Sequence, residues 1–231
     1  MYSILNFIHS PEKNIITAED PIEYNIEGVN QVQVSPDVGL TFAVSLRSIL
    51  RQDPDIIMIG EMRDYETLDI AIKSALTGHL VLSTVHTTTA AGAVVRLIDM
   101  GAQPFLICDS LISIVSQRLL RKICPNCKEK VLVEKDLIKG IFSKEIDFLY
   151  RGKGCSQCLN TGYRGRTGVC EILLLTPKIK ELVLSRSQEH PIREQAQLEG
   201  MKTLREEALN KCLEGITTLE EVIRVTGAKE E

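Results

Sequence analysis

The sequence predicts an α/β protein built on a parallel sheet, followed by a cysteine-rich segment and a helical C-terminal part. Short apolar runs alternate with amphipathic stretches over residues 1–122, and three of those runs lead directly into ionisable residues. Two Cys-x-x-Cys pairs, Cys124/Cys127 and Cys155/Cys158, then break the pattern. The chain divides on this reading into 1–122, 123–170 and 171–231.

The elements follow in order. Asn14–Ala18 reads as a buried strand, and Val29–Val34 alternates apolar with polar residues as a half-exposed strand does. Thr41 can cap a helix whose Phe42, Leu46, Ile49 and Leu50 share one face. Asp55–Gly60 is a second buried strand, and Asp64 can cap a helix that stops near Gly78. Leu80–Val85 is a third buried strand, followed by helical patterns over 89–99 and 103–122. The cysteine segment surrounds a short helix predicted near 134–149. Thr176-Pro177 places an N-cap before a proline at the first helical position. Thr203…Glu206 and Thr218…Glu221 fit capping boxes, so a helical region is expected from about 176 to 228.

Composition bounds the function. The chain has 231 residues, 44% hydrophobic and 25% charged, the balance of an ordinary globular protein. A net charge of −4 gives no global attraction to nucleic acid or anionic lipid. No apolar run approaches the roughly 18–20 residues that span a bilayer. The opening MYSILNFIHS lacks a basic start and a signal-like cleavage site, which points to the cytosol. Four of the seven cysteines lie in the two pairs, so reduced thiols and a metal are favoured over disulfides. Two such pairs fill the coordination sphere of zinc and leave no place for water, which makes the expected site structural. Cys108, Cys170 and Cys212 read as core residues. Arg118, Arg121, Lys122, Lys128 and Lys130 read as solvated surface that could also meet an acidic face of a partner.

In parallel sheets ligands bind outside the carboxyl ends of the strands. The first strand meets Glu19, Asp20 and Glu23 there, the second meets Glu61, and the third meets His86. A carboxylate such as Glu61 suits a hydrated magnesium ion beside phosphates. A carboxylate from the first strand's end, with Glu23 preferred over Glu19 and Asp20, could orient or deprotonate an attacking water. His86 could hydrogen-bond a terminal phosphate. His79 precedes the third strand, lies toward its opposite end, and receives no catalytic task from spacing.

The segments ITAEDPIEY (16–24), LRQDPDIIMIGEMRD (50–64) and TGHLVLSTVHT (77–87) resemble the bacterial ATPases of type II secretion and type IV pilus assembly. The resemblance covers nearly the whole chain. It implies a RecA-like P-loop NTPase core, with Glu23 as the water-activating residue, Glu61 as the magnesium-side glutamate, and His79 and His86 as paired histidines. Glu19, Asp20 and Arg63 are further candidates for nucleotide contact. The four cysteines resemble the zinc insert of the secretion and pilus-extension branch. ATP and Mg2+ are the implied ligands. The implied assembly is a ring homo-oligomer, a hexamer, at the cytoplasmic side of the inner membrane, held there through a platform protein and without nucleic acid.

One departure bears on activity. The phosphate-cradling Gly-x-x-x-x-Gly-Lys-Ser/Thr is missing, and the Gly152-Lys153 pair is followed by Gly154. The chain therefore resembles the back half of such an ATPase and is expected to bind and hydrolyse ATP poorly by itself. Two rival readings stay open at this point. One is a non-catalytic zinc-containing assembly fragment; the other is a zinc-ribbon module that binds nucleic acid.

Overall fold

The computed structural model describes residues 1–133, 140–142 and 146–227. It forms two compact units, one of residues 1–114 with 174–195, the other of 115–173 with the chain from 196 onward.

The first unit is a three-layer α/β structure. Its helices are α1 (Tyr2–Ile8), α2 (Phe42–Ile49), α3 (Tyr65–Leu76), α4 (Ala90–Asp99), α5 (Pro104–Ser110) and α6 (Pro177–Leu184). Its strands are β1 (Ile15–Glu19), β2 (Asn30–Gln33), β3 (Ile56–Ile59) and β4 (Leu80–Ser83), in the order β2-β1-β3-β4 and all parallel. Ile16 is in register with Asn30 on one side and Ile57 on the other, and Ile57 pairs onward with Val81. Every residue of β1 and β3 is buried, as central strands covered on both faces must be. Successive side chains point to opposite faces, so the two strands feed two cores. Ile16, Ala18, Ile57 and Ile59 pack with Leu46 and Ile49 of α2 and Ala71 of α3, while Ile15, Ile56 and Met58 pack with Leu5 of α1. β4 is not the buried strand expected from its composition. It is the last in the sheet order, and Leu80 is exposed.

The predicted caps are made. The Thr41 hydroxyl accepts from the Val44 N–H, the Asp64 carboxylate from Thr67 and the Thr176 hydroxyl from Ile179. α3 ends at Leu76, and Gly78 follows with a φ of 105°, which only glycine adopts without strain.

The 103–122 helix is half right. α5 stops at Ser110, and residues 113–123 form a strand, β5 (Ser113–Ile123), paired with β8 (Tyr163–Leu174). Along 114–121 the even-numbered residues face inward and the odd-numbered ones are exposed. That period of two is masked in the sequence because Ser116 and Arg118 sit on the inward side while Val115 and Leu119 face out. Of the helix predicted near 134–149, residues 134–139 and 143–145 lie outside the described residues, and Phe148 opens the strand β7 (Phe148–Gly152), antiparallel to β6 (Lys128–Leu132).

The chain continues through α7 (Glu189–Leu198), α8 (Leu204–Leu213) and α9 (Leu219–Thr226). In the second unit Leu120 and Val169 of the β5–β8 ribbon pack with Leu149, Ala208, Cys212 and Val222. Cys108 and Cys212 are buried as expected, and Cys170 is half-buried. Thr203 and Glu206 form the reciprocal capping box. Thr218 caps α9, but the Glu221 side chain turns away from it to two arginines.

Candidate functional site

Parallel pairing brings the carboxyl ends of β1, β3 and β4 to one edge of the sheet. Backbone and hydroxyl bonds then tie those ends together. The Gly60 N–H donates to the Ala18 carbonyl (2.8 Å), the Thr84 hydroxyl to the Gly60 carbonyl (2.6 Å), and the Met62 N–H to the Thr84 carbonyl (3.0 Å). A cavity of about 260 Å³ opens over this edge, and Glu19, Asp20, Glu23, Glu61 and His86 all line it.

Glu61 is the focus of charge. Its Oε2 lies 2.6 Å from Arg63 Nε and 2.9 Å from His86 Nε2, and its side chain is only 12% exposed. Burial pushes the Glu61 carboxyl up, but the hydrogen bonds from Arg63 and His86 outweigh it and hold the group below the usual carboxylate range. An ionised carboxylate therefore faces the cavity beside a cation and an imidazole. His86 and Arg63 themselves are exposed, so both can turn toward a ligand.

The three acidic residues after β1 are placed differently from one another. Glu19 is buried, and its carboxylate accepts hydrogen bonds from the Tyr2 and Thr17 hydroxyls and from Gln31 Nε2 (2.9 Å). Asp20 and Glu23 are exposed at the cavity, and the Glu23 N–H donates to the Tyr2 hydroxyl (3.1 Å). Tyr2 thus links Glu19 to the Glu23 backbone, and burial together with the Glu19 carboxylate raises its own pKa. Sequence reading missed Tyr2 and Gln31. Gln31 could have been found, since it is a polar residue in an alternating strand beside an acidic strand end. Tyr2 carried no such signal. His79 does not join this group: its Nδ1 lies 2.9 Å from the Ser74 carbonyl and 3.1 Å from the Thr77 hydroxyl, where α3 ends and β4 begins.

In the second unit the four predicted cysteines converge. Their sulfurs all lie within 4.8 Å of one another. Cys124 and Cys155 are 3.9 Å apart, Cys127 and Cys158 3.9 Å, and Cys155 and Cys158 3.7 Å. A tetrahedron with metal–sulfur bonds of about 2.3 Å has edges of about 3.8 Å, so this spacing fits a tetrathiolate zinc site. Burial pushes the Cys158 thiol up, but N–H groups of Cys155 and Gly162 outweigh it and bring the group down to about 6, while burial and the neighbouring sulfurs send Cys127 up to about 12. Two backbone bonds lock the halves together, from Cys124 N–H to the Gly162 carbonyl (2.9 Å) and from Lys153 N–H to the Cys127 carbonyl (3.1 Å). Gly162, at a φ of 77°, and Gly152 approach so closely that a Cβ on Gly162 would lie 2.4 Å from the Gly152 oxygen.

In the same unit as the cysteine cluster, Glu221 is wholly buried. It accepts from the Arg121 N–H (2.9 Å), from Arg121 Nε and Nη2 (2.9 and 2.7 Å), and from Arg224 Nε and Nη2 (2.7 and 2.6 Å). Burial opposes ionisation, yet these bonds bring its pKa down to about 2. The Arg121 guanidinium also covers the Tyr163 ring at 4.1 Å, and the Tyr163 and Thr218 hydroxyls are 2.7 Å apart.

Comparison with known proteins bears on the family and the fold. Residues 1–224 match the family described as Type II/IV secretion system protein. The chain is 49% identical over 228 residues to the type II secretion system ATPase E of Vibrio cholerae, covering 98% of this chain and 45% of the relative. It is 49% identical over 229 residues to the type IV pilus assembly ATPase PilB of Thermus thermophilus, covering 97% of this chain and 26% of that protein. It therefore spans less than half the length of either relative. Among solved structures, the pilus retraction motor PilT with bound ADP superposes with a TM-score of 0.68 at 31% identity, over 97% of this chain and 55% of that one. The DotB ATPase of Legionella pneumophila, 20% identical with a TM-score of 0.67, shares the fold. The fold, the acidic strand ends and the sequence matches lead to one conclusion: this chain belongs to the type II/IV secretion system protein family.

Proposed function

We propose that this chain is the part of a secretion or pilus-assembly motor ATPase that carries the acidic strand ends and the zinc knuckle. The observation that supports it most is the Glu61–Arg63–His86 group facing a cavity that Glu23 also lines. In this reading Glu61, held ionised, would hold magnesium at the nucleotide phosphates, and the ion would supply neutralising charge there. Glu23, exposed at the rim, takes a proton from the attacking water. His86 leaves Glu61 to hydrogen-bond the terminal phosphate, and Arg63, Asp20 and Glu19 shape the surrounding charge. His79 acts at a distance, at the start of β4, by bracing the end of α3.

Cys124, Cys127, Cys155 and Cys158 hold a structural zinc ion, and the fit of their spacing to a sulfur tetrahedron supports that choice. Residues 123–170 then serve as a metal-organised insert between the nucleotide-facing residues 1–122 and residues 171–231, which carry α6 to α9. Assembly into a homo-oligomeric ring, a hexamer, on the cytoplasmic side of the inner membrane and docking on a platform protein complete the reading. No helix among the described residues is long and apolar enough to cross a membrane, so attachment through a partner suits it.

Phosphate release and nucleotide affinity test the proposal. The 231-residue chain contains no Gly-x-x-x-x-Gly-Lys-Ser/Thr and is expected to bind ATP weakly and hydrolyse little. The same residues within a longer protein that carries the phosphate loop should hydrolyse ATP with magnesium, and Glu61→Gln should cut that rate by about a hundredfold or more. Unchanged hydrolysis in that variant would refute the assignment.

A further inference from the structure

We infer that Glu189 is a positioning residue for the turn that carries His86, holding the imidazole against Glu61. The inference rests on the proposed role of His86, but its geometry is independent of that role. β4 ends at Ser83 and α4 begins at Ala90, so residues 84–89 form a short turn. One end is anchored where Thr84 donates to the Gly60 carbonyl (2.6 Å). At the other end Thr89 accepts from the Gly92 N–H (3.0 Å) and donates its hydroxyl proton to Glu189 Oε1 (2.7 Å). Arg193, one turn further along α7, pairs with the same carboxylate and fixes its direction. His86 lies between these anchors with a side chain that is 78% exposed, so little packing holds the ring in place. Its orientation depends on the turn.

Gly92 gives the second, independent sign. Glycine inside a helix is unfavourable and needs a reason. Here a Cβ would lie 2.8 Å from Thr89 Oγ1 and 3.0 Å from Glu189 Oε2, so the missing side chain makes room for the carboxylate. Glu189 also places negative charge at the N-terminus of α4, where the helix dipole favours it. Three residues from two distant stretches of sequence thereby account for one another.

Amide hydrogen exchange on the 231-residue chain tests this directly. Glu189→Ala should speed exchange across 84–92 by about tenfold while β3 and β1 keep their protection; Glu189→Gln, which still accepts from Thr89, should stay within about threefold of the parent. No acceleration in 84–92, or equal acceleration in β1 and β3, overturns the inference. In a 13C-histidine spectrum, with the His86 peak identified by its loss in His86→Asn, Glu189→Ala should move that peak toward its position in Glu61→Gln. A His86 peak unmoved by Glu189→Ala but moved by Glu61→Gln also overturns it. If Glu61→Gln itself leaves the peak in place, the Glu61–His86 pair and the hydrolytic reading fail, and the exchange rates alone still decide whether Glu189 holds the turn.

Discussion

Replacing Glu221 with glutamine should destabilise the second unit in a manner that depends on pH. The carboxylate's ordinary pKa of 4.5 falls to about 2 in the folded chain, because burial is outweighed by the donors of Arg121 and Arg224. A difference of that size corresponds to about 3 kcal/mol, and water at the half-exposed guanidinium faces reduces it to about 2 kcal/mol. The unfolded state binds the proton more readily than the folded state, so stability from this group rises with pH. It is fully present above about pH 4.5 and fades as pH falls toward 2. Glutamine keeps the shape and can still accept from the Arg121 backbone, but it leaves two guanidinium groups without a counter-charge. Urea unfolding followed by circular dichroism at pH 7, 4.5 and 3 gives the comparison. The gap between parent and Glu221→Gln should be about 2 kcal/mol at pH 7 and should shrink by pH 3. A gap that does not change with pH would show that lost hydrogen-bond acceptance and not charge sets the difference, and would refute the reasoning.

Other consequences can be checked separately. Gly162→Ala puts a Cβ 2.4 Å from the Gly152 oxygen at a backbone angle that alanine disfavours, and should cost about 3 kcal/mol with loss of bound metal, measured by elemental analysis. The purified chain should contain one zinc per molecule, and a strong chelator should release it with loss of amide protection over 124–127 and 155–162; a chain that keeps its protection without metal would remove zinc from the account. Thr17→Val together with Gln31→Leu strips two donors from buried Glu19 and should lower stability by about 2–4 kcal/mol at neutral pH, read by urea unfolding.

What could be read from the sequence depended on whether polarity followed geometry. β3 is apolar throughout and β1 largely so because both faces are covered, and their ends carry carboxylates that line one cavity, so the strands and that cavity lining were legible together. The convergence of the four cysteines was legible because two Cys-x-x-Cys pairs carry the spacing that a tetrahedral site requires. β5 was not, since its inward positions include Ser116 and Arg118 while Val115 and Leu119 face out. The burial of β4 was overestimated for a related reason: composition reports how apolar a strand is, whereas sheet order determines whether it stands at an edge. Glu221 shows the limit most clearly. Its spacing from Thr218 fits a capping box, but arginines reaching it from Arg121 and Arg224 offer more hydrogen bonds than the Thr218 backbone could.

Glu61 and Glu221 have much in common chemically, and the difference between them lies in how their partners are held. Both are shielded carboxylates held ionised against their burial by arginine. Around Glu221 the donors come from the Arg121 backbone and from two guanidinium groups, and both oxygens are engaged with no exposed surface left. Such a group can only hold its neighbours in place. Around Glu61 the contacts from Arg63 and His86 converge on one oxygen, Oε2, both side chains are themselves mostly exposed, and the residue lines a cavity. Moving His86 or Arg63 away from it therefore requires no repacking of a core, whereas moving Arg121 would strip a fully buried charge. A depressed carboxylate pKa alone would rank Glu221 above Glu61 as a functional candidate. Exposure of the partners reverses that order and supports the proposal that the chemistry lies at the end of β3.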